Sequence, residues 1–179
     1  GTRLADRFSL SSRQMRGFES RGLGPRDTDV ENENFLGGNY FAVARFEAGQ
    51  LRLDRNDTDL RKIVLDAMTM FPQEVQLDAP AAPVTAHADE VRLRQAVLAL
   101  LQTARRYGGP TIKVTLTHSA QAVTISVEDD GPGLNAAEKL QAFDRFFRGS
   151  NASGQGVEGN GLGLPVVQSI VEAHGGTVE

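Results

Sequence analysis

Three groups of residues have the types and spacing that chemistry needs. The first is Val127-Glu128-Asp129-Asp130-Gly131-Pro132-Gly133-Leu134, where a strand-like segment runs into a glycine turn. A carboxylate at a strand end can accept a hydrogen bond from an exocyclic amine. Glycines beside it remove side chains that would keep a flat ring away. Asp129, Gly131 and Gly133 suit that task, although the same string also reads as an acidic β-turn. The second group, Gly159-Asn160-Gly161-Leu162-Gly163-Leu164, opens a helical segment. Unpaired N–H groups and the positive end of a helix dipole make an anion site there. A dinucleotide fingerprint would need a strand just before the glycines, and the Gly-, Ser- and Asn-rich loop from Arg148 to Asn160 precedes them instead. The other reading is an ordinary flexible loop. In the third group, Ala99, Thr103, Arg106 and Tyr107 follow one another at helical spacing. They lie on a face about 115° from the apolar stripe of the same segment. That face can present a hydroxyl and a guanidinium to a phosphate chain, or form a solvated flank.

The elements that must position these groups follow from periodicity. Asp57 or Asp59 can cap a helix carrying Leu60, Ile63, Val64 and Ala67, and Asp89 a second with Leu93, Val97, Leu100, Leu101 and Ala104 on its core stripe. Ile112, Val114 and Leu116 alternate with polar residues, as do Val123, Ile125 and Val127. The residues between, His118 to Gln121, suit a hairpin turn, which predicts neighbouring antiparallel strands. A last helix runs from about Leu162 to His174, with Pro165 in its first turn and Gly175-Gly176 ending it. Ahead of these, Leu4 with Phe8 and Met15 with Phe18 could start helical stripes. Residues 19–39 have the composition of a mobile loop, Tyr40 to Glu47 reads helical, and Gln50 to Asp54 reads as a short strand. The pattern predicts an α/β protein: a two-layer sandwich with helices on one face of a mixed, largely antiparallel sheet.

Composition removes several classes. Among 179 residues, 19 are Lys or Arg and 23 are Asp or Glu, a net charge of -4, so nucleic acid is not the expected partner. Cysteine is absent, which excludes a disulfide scaffold, a thiol nucleophile and Cys-ligated metal. No apolar run approaches the roughly 20 residues of a membrane span, and the expectation is a soluble, cytoplasmic protein. His87, His118 and His174 are the only histidines. They read as a residue before a helix, a turn residue and a helix end where a proton would suit the dipole, rather than as metal ligands.

Residues 50–178 resemble the catalytic ATP-binding domain of sensor histidine kinases, within the wider gyrase, Hsp90, histidine kinase and MutL ATPase group. Arg92 to Tyr107 is similar to the N box, Asp129 to Gly133 to the DxGxG box, Phe143-Asp144-Arg145-Phe146-Phe147-Arg148 to the F box, and Gly159 to Leu164 to the GxGxGL box. Ala44 to Gly49 is similar to the end of the dimerisation helix of such kinases. The resemblance implies that Asp129 recognises the adenine amine, with Gly131 and Gly133 shaping the pocket. It implies that Tyr107 lines the nucleotide site, Arg106 contacts phosphate, and Arg145 or Arg148 stabilises the transferring γ-phosphate or docks the acceptor helix. The loop from Arg148 to Asn160 would be a lid, with Gly159, Gly161, Leu162, Gly163 and Leu164 closing on the phosphates. ATP and Mg²⁺ are the implied cofactors, and catalysis would be positioning plus charge stabilisation.

The chain departs from that family in three respects. The two N-box asparagines are replaced by Ala99 and Thr103, so Thr103 is the residue left to offer Mg²⁺ an oxygen. No histidine precedes the N box at the distance expected of the acceptor. Ser12 to Arg16 is loosely similar to the acceptor motif, with Arg13 where histidine would stand, and chance similarity is the other reading. After Gly175-Gly176-Thr177 the family continues with two further strands, and without them the sheet would have an open edge. The expected division is residues 1–49, a partial dimerisation or linker region, and 50–179, the ATP-binding domain. The resemblance implies a kinase domain that phosphorylates a histidine on a separate partner protein and indirectly serves a response regulator. The alternative is an impaired nucleotide-binding regulator. A serine kinase of an anti-sigma antagonist and a pure interaction module are the remaining readings.

Overall fold

The computed structural model describes residues 5–11, 43–46, 48, 51–120, 122–150 and 161–179, the first of these as backbone. The expected loop over 19–39, the stretch around Arg13, and residues 151–160 with Gly159 lie outside the described residues.

A mixed five-stranded sheet carries the helices on one face. Its strands are β1 (Ala5–Ser11), β3 (Gln76–Asp78), β5 (Ile112–His118), β6 (Ala122–Asp129) and β7 (Thr177–Val178), in the order β3-β5-β6-β1-β7. Only β3 and β5 are parallel; the other neighbours are antiparallel. β2 (Asn56–Asp59) and β4 (Thr85–Ala88) form a separate antiparallel pair. The helices are α1 (Leu60–Met70), α2 (Glu90–Tyr107), α3 (Ala136–Gln141) and α4 (Gly163–Ala173). Val43–Phe46 adds a helical turn closed by Ala48 N–H to Ala44 C=O at 3.1 Å.

Local signals formed as the sequence dictates. Asp59, not Asp57, caps α1 by accepting Arg61 N–H at 3.0 Å. Asp57 instead lies in β2 opposite His87, its carboxylate 3.4 Å from the ring. Asp89 caps α2 through Arg92 N–H at 3.0 Å. β5 and β6 pair from Ile112↔Asp129 to His118↔Val123, and Ser119 N–H to Ala122 C=O closes the hairpin. Ile112, Val114 and Leu116 with Val123, Ile125 and Val127 are buried against α2. α2 packs in turn on α1 and α4, so the core lies between the helix layer and the sheet.

Two expectations fail for one reason, that tertiary partners override local pattern. The strand expected at Gln50–Asp54 begins instead at Asn56, where β4 supplies the ladder; Asp54 N–H is taken by the Asp89 carboxylate at 2.9 Å. Phe8, expected on a helical stripe with Leu4, lies in strand β1 instead, and Leu4 is outside the described residues. β1 pairs with β6 from Ala5↔Glu128 to Ser11↔Ala122 and with β7 on its other side. No helix among the described residues is long and apolar enough to cross a membrane.

Candidate functional site

The site is built where α2 ends, β6 ends and α4 begins. β6 delivers Asp129 at its last position, in register with Ile112 of β5. Beyond it the chain turns back, and Gly131 N–H donates to Asp129 Oδ1 at 2.8 Å. Half-burial pushes the Asp129 carboxyl above its ordinary range. The Gly131 N–H pulls the other way, and the Asp130 charge adds to the rise. Gly133 takes φ +69°, the left-handed region.

The end of α2 reaches this turn through two glycines that sequence reasoning missed. A Cβ on Gly108 would lie 2.5 Å from Asp129 Cγ, and one on Gly131 would lie 2.5 Å from Gly108 Cα. A Cβ on Gly109 would lie 2.1 Å from Asp130 Oδ1, and that carboxylate accepts Thr111 N–H at 3.0 Å. Any side chain there would force the helix end off the carboxylate turn. The signal was available as Gly108-Gly109 at the end of a helical pattern, but it has the same form as an ordinary helix stop.

Along α2 the stripe separates. Ala99 is buried in the core and contributes its carbonyl, which accepts the Thr103 hydroxyl at 2.8 Å. Thr103 is half-buried, and a Cβ on Gly163 would lie 2.8 Å from its Oγ1, so the hydroxyl abuts the start of α4. Arg106 is exposed on the last turn and Tyr107, half-buried, ends the helix.

α4 starts at Leu162 without a side-chain cap. By helix geometry the N–H groups of Gly163 and Leu164 have no intrahelical partner, and Pro165 brings none. Leu162 and Leu164 are themselves buried, so they anchor the helix start. Just before it, Gly161 at φ +64° accepts Phe146 N–H through its carbonyl at 3.0 Å, and a Cβ there would lie 2.6 Å from Phe146 Cα. Phe146 is itself left-handed at φ +62°, a costly conformation for an aromatic residue, and its ring is exposed. Arg145 is exposed and Arg148 half-buried on the same segment. Asn135 and Glu138 form a capping box at α3, and the Glu138 carboxylate also takes Ser150 N–H at 2.7 Å. Those N–H groups, that of Ser150 foremost, lower its pKa.

The donor set for a metal is sparse. Among the described residues no three His, Cys, Asp or Glu side chains gather where they could hold an ion. His174, expected as a protonated helix end, is buried and neutral: Nδ1–H donates to Ile170 C=O at 2.8 Å and Nε2 accepts Asp89 N–H at 3.0 Å. Burial lowers its pKa.

The model of the histidine kinase-, DNA gyrase B-, and HSP90-like ATPase family matches residues 88–179, which span α2, β5, β6, α3, α4 and β7. The chain belongs to that family. Within it, the chain corresponds to the ATP-binding catalytic domain of histidine kinases. It is 35% identical over 158 residues to the probable sensor histidine kinase TcrY of Mycobacterium tuberculosis, covering 84% of this chain and 33% of that protein. Among solved structures, histidine kinase AdeS of Acinetobacter baumannii superposes with a TM-score of 0.61 at 27% identity, over 77% of this chain and 66% of that one. A mycobacterial sensor histidine kinase, MprB, does so at 0.58 and 25% identity, over 68% and 80%. The chain spans about a third of the length of the curated relative it matches.

Proposed function

We propose that this domain binds ATP between Asp129 and the start of α4 and supports transfer of its γ-phosphate to a histidine of a separate protein. The observation that carries the reading is the meeting of three elements: α2 and β6 close-packed through Gly108, Gly131 and Asp129, with Thr103 of α2 against Gly163 of α4. One end of that junction presents a half-buried carboxylate to a base amine and the other presents helix N–H groups to phosphate. Gly131 and Gly133 keep the base pocket open and Tyr107 lines it. Arg106, Arg145 and Arg148 supply positive charge to the phosphate chain and the acceptor. Gly159, Gly161, Leu162, Gly163 and Leu164 carry the closing segment.

Mg²⁺, when bound, neutralises charge on the phosphates and would be held mainly by them and by water. Thr103 fits as its single protein oxygen, since the hydroxyl hydrogen goes to Ala99 C=O and a lone pair is left. In the transfer, a ring nitrogen of the partner's histidine forms the bond to phosphorus as the bond to the ADP oxygen breaks. The partner would be a protein with an acceptor hairpin, with a response regulator downstream, in the cytoplasm. Residues 1–49 would be the partial dimerisation or linker region and 50–179 the ATP-binding domain, with Ala5–Ser11 reaching across to the sheet.

A second reading, a nucleotide-binding regulator without kinase activity, is favoured by the same Thr103–Ala99 bond and the sparse donor set. Calorimetry with ATP, with Mg²⁺ present and then chelated, separates the two. The kinase reading expects binding that weakens on chelation and label passing from ATP to a partner carrying the hairpin. Equal affinity without Mg²⁺ and no transfer would favour the regulator, and no ATP binding would overturn both.

A further inference from the structure

α2 and α4 lie side by side and run in opposite directions, so they meet at both ends. One meeting, Thr103 against Gly163, belongs to the candidate site. The other lies about 15–20 Å away by helix rise and is made of polar groups. There Asp89, at the start of α2, donates its N–H to His174 Nε2 at 3.0 Å, and both residues are buried. The Asp89 carboxylate is shared. Its Oδ1 accepts Arg92 N–H from its own helix at 3.0 Å, and its Oδ2 accepts Asp54 N–H at 2.9 Å. The last four carbonyls of α4 are claimed in turn. His174 takes that of Ile170, Gly176 N–H that of Val171, and Gly175 N–H that of Glu172. The fourth, Ala173 C=O, accepts the Arg55 guanidinium, a cation that also suits the negative end of the α4 dipole. Two consecutive residues ahead of β2 thus hold α2 at its first turn and α4 at its last. The segment that leads to them buries Val43 in the same core.

Packed helices can slide past one another by about 1–2 Å, and directional bonds at their ends fix that slide. Any slide of α4 would move Gly163 along Thr103, where even a Cβ would lie 2.8 Å from the hydroxyl oxygen. We propose that Arg55, with Asp54, Asp89 and His174, forms a clasp that sets nucleotide affinity from the far ends of α2 and α4. It couples the segment leading into β2 to the site, and its four members are positioning residues. The proposal rests on the ATP-binding reading above.

Calorimetry with ATP on full-length Arg55→Ala is expected to give an affinity at least about fivefold below the parent's. Arg55→Lys, which keeps a cation at Ala173 C=O, should recover most of it. Coupling is reciprocal, so saturating ATP should slow amide exchange at Asp54 in the parent by no less than the factor lost in Arg55→Ala. Ser119 N–H, held in the β5–β6 hairpin by Ala122 C=O at 2.8 Å, should exchange at an unchanged rate. An Arg55 that merely stabilised the fold would alter neither the affinity of the folded variant nor the response of Asp54. Parent-like affinity in Arg55→Ala overturns the clasp, and so does equal slowing at Ser119 and Asp54. The exchange is read on the parent whether or not the variant folds. ATP binding by the parent with Asp54 unmoved overturns the clasp alone. No ATP binding by the parent overturns the nucleotide reading and the clasp with it.

Discussion

At Asp129 the requirements of binding and stability oppose each other. Burial raises its pKa, so the folded chain holds that proton more tightly than the unfolded chain does. Ionised at neutral pH it therefore costs stability, and the cost is relieved as pH falls toward the raised pKa. Asp129→Asn should leave the thermal midpoint unchanged or higher, since an amide oxygen can still accept Gly131 N–H. ATP affinity should fall about 10- to 100-fold, the size expected for losing a hydrogen bond to a charged acceptor. Melting curves and calorimetry on the one variant read both effects, and unchanged affinity would displace the pocket from this turn. His174 has the opposite role, because both ring nitrogens are used and neither faces the site. Its pKa is lowered below the ordinary 6.5 by burial, so the unfolded chain takes up the proton first. The contribution of His174 is whole above pH 6.5 and drains away as pH falls through the lowered value. His174→Ala should cost about 2–4 kcal/mol, from the orphaned Asp89 N–H and the cavity. It should also flatten the fall in stability between about pH 7 and pH 5, which denaturant titrations at several pH values would register.

Among the elements, α3 shows how a short helix serves as a clamp. Its capping box uses Glu138, and the same carboxylate holds Ser150 through both N–H and hydroxyl, at the edge of the glycine-rich loop. Glu138→Ala should therefore speed amide exchange at Ser150 as well as at Asn135. Asn135→Ala should cost α3 about 1 kcal/mol of local stability but leave Ser150 protected. If the two variants expose Ser150 equally, the clamp is the helix itself and not the carboxylate. Elements of this kind were legible where partners lie close in sequence. Asp89 as the cap of α2, the β5–β6 hairpin and the apolar stripes could each be read from a short window. β1 could not, because its partners β6 and β7 are supplied from the other end of the fold, and a helical spacing of Leu4 and Phe8 says nothing about an available ladder. His174 was misjudged for the same reason: the helix end was evident, but the Asp89 N–H that claims its second nitrogen comes from a distant helix start.

For the molecule as a whole, the family boxes were legible as strings, but their contact surfaces were not. Asp129, Gly161 and Gly163 could be marked from their motifs. The glycines at 108 and 109 gain their role only when the end of α2 meets the turn after β6. Gly108 has φ -89°, open to any residue, so its lack of a side chain answers to space and not to backbone strain. A Cβ there would lie 2.3 Å from Ala104 C=O and 2.5 Å from Asp129 Cγ, the first within the helix and the second across the site. Gly108→Ala should destabilise by about 1–3 kcal/mol through overpacking and weaken ATP binding as the carboxylate is pushed aside. The two contributions are separable, because shortening Asp129 relieves only the second clash. In an Asp129→Ala background the cost of Gly108→Ala should shrink by about 0.5–2 kcal/mol, the range of coupling between residues in contact. Strict additivity in that double-mutant cycle, measured by chemical denaturation, would mean that Gly108 serves α2 alone. A shortfall would mean that helix end and strand end are one packed unit, so that what shifts either end of the site moves the other.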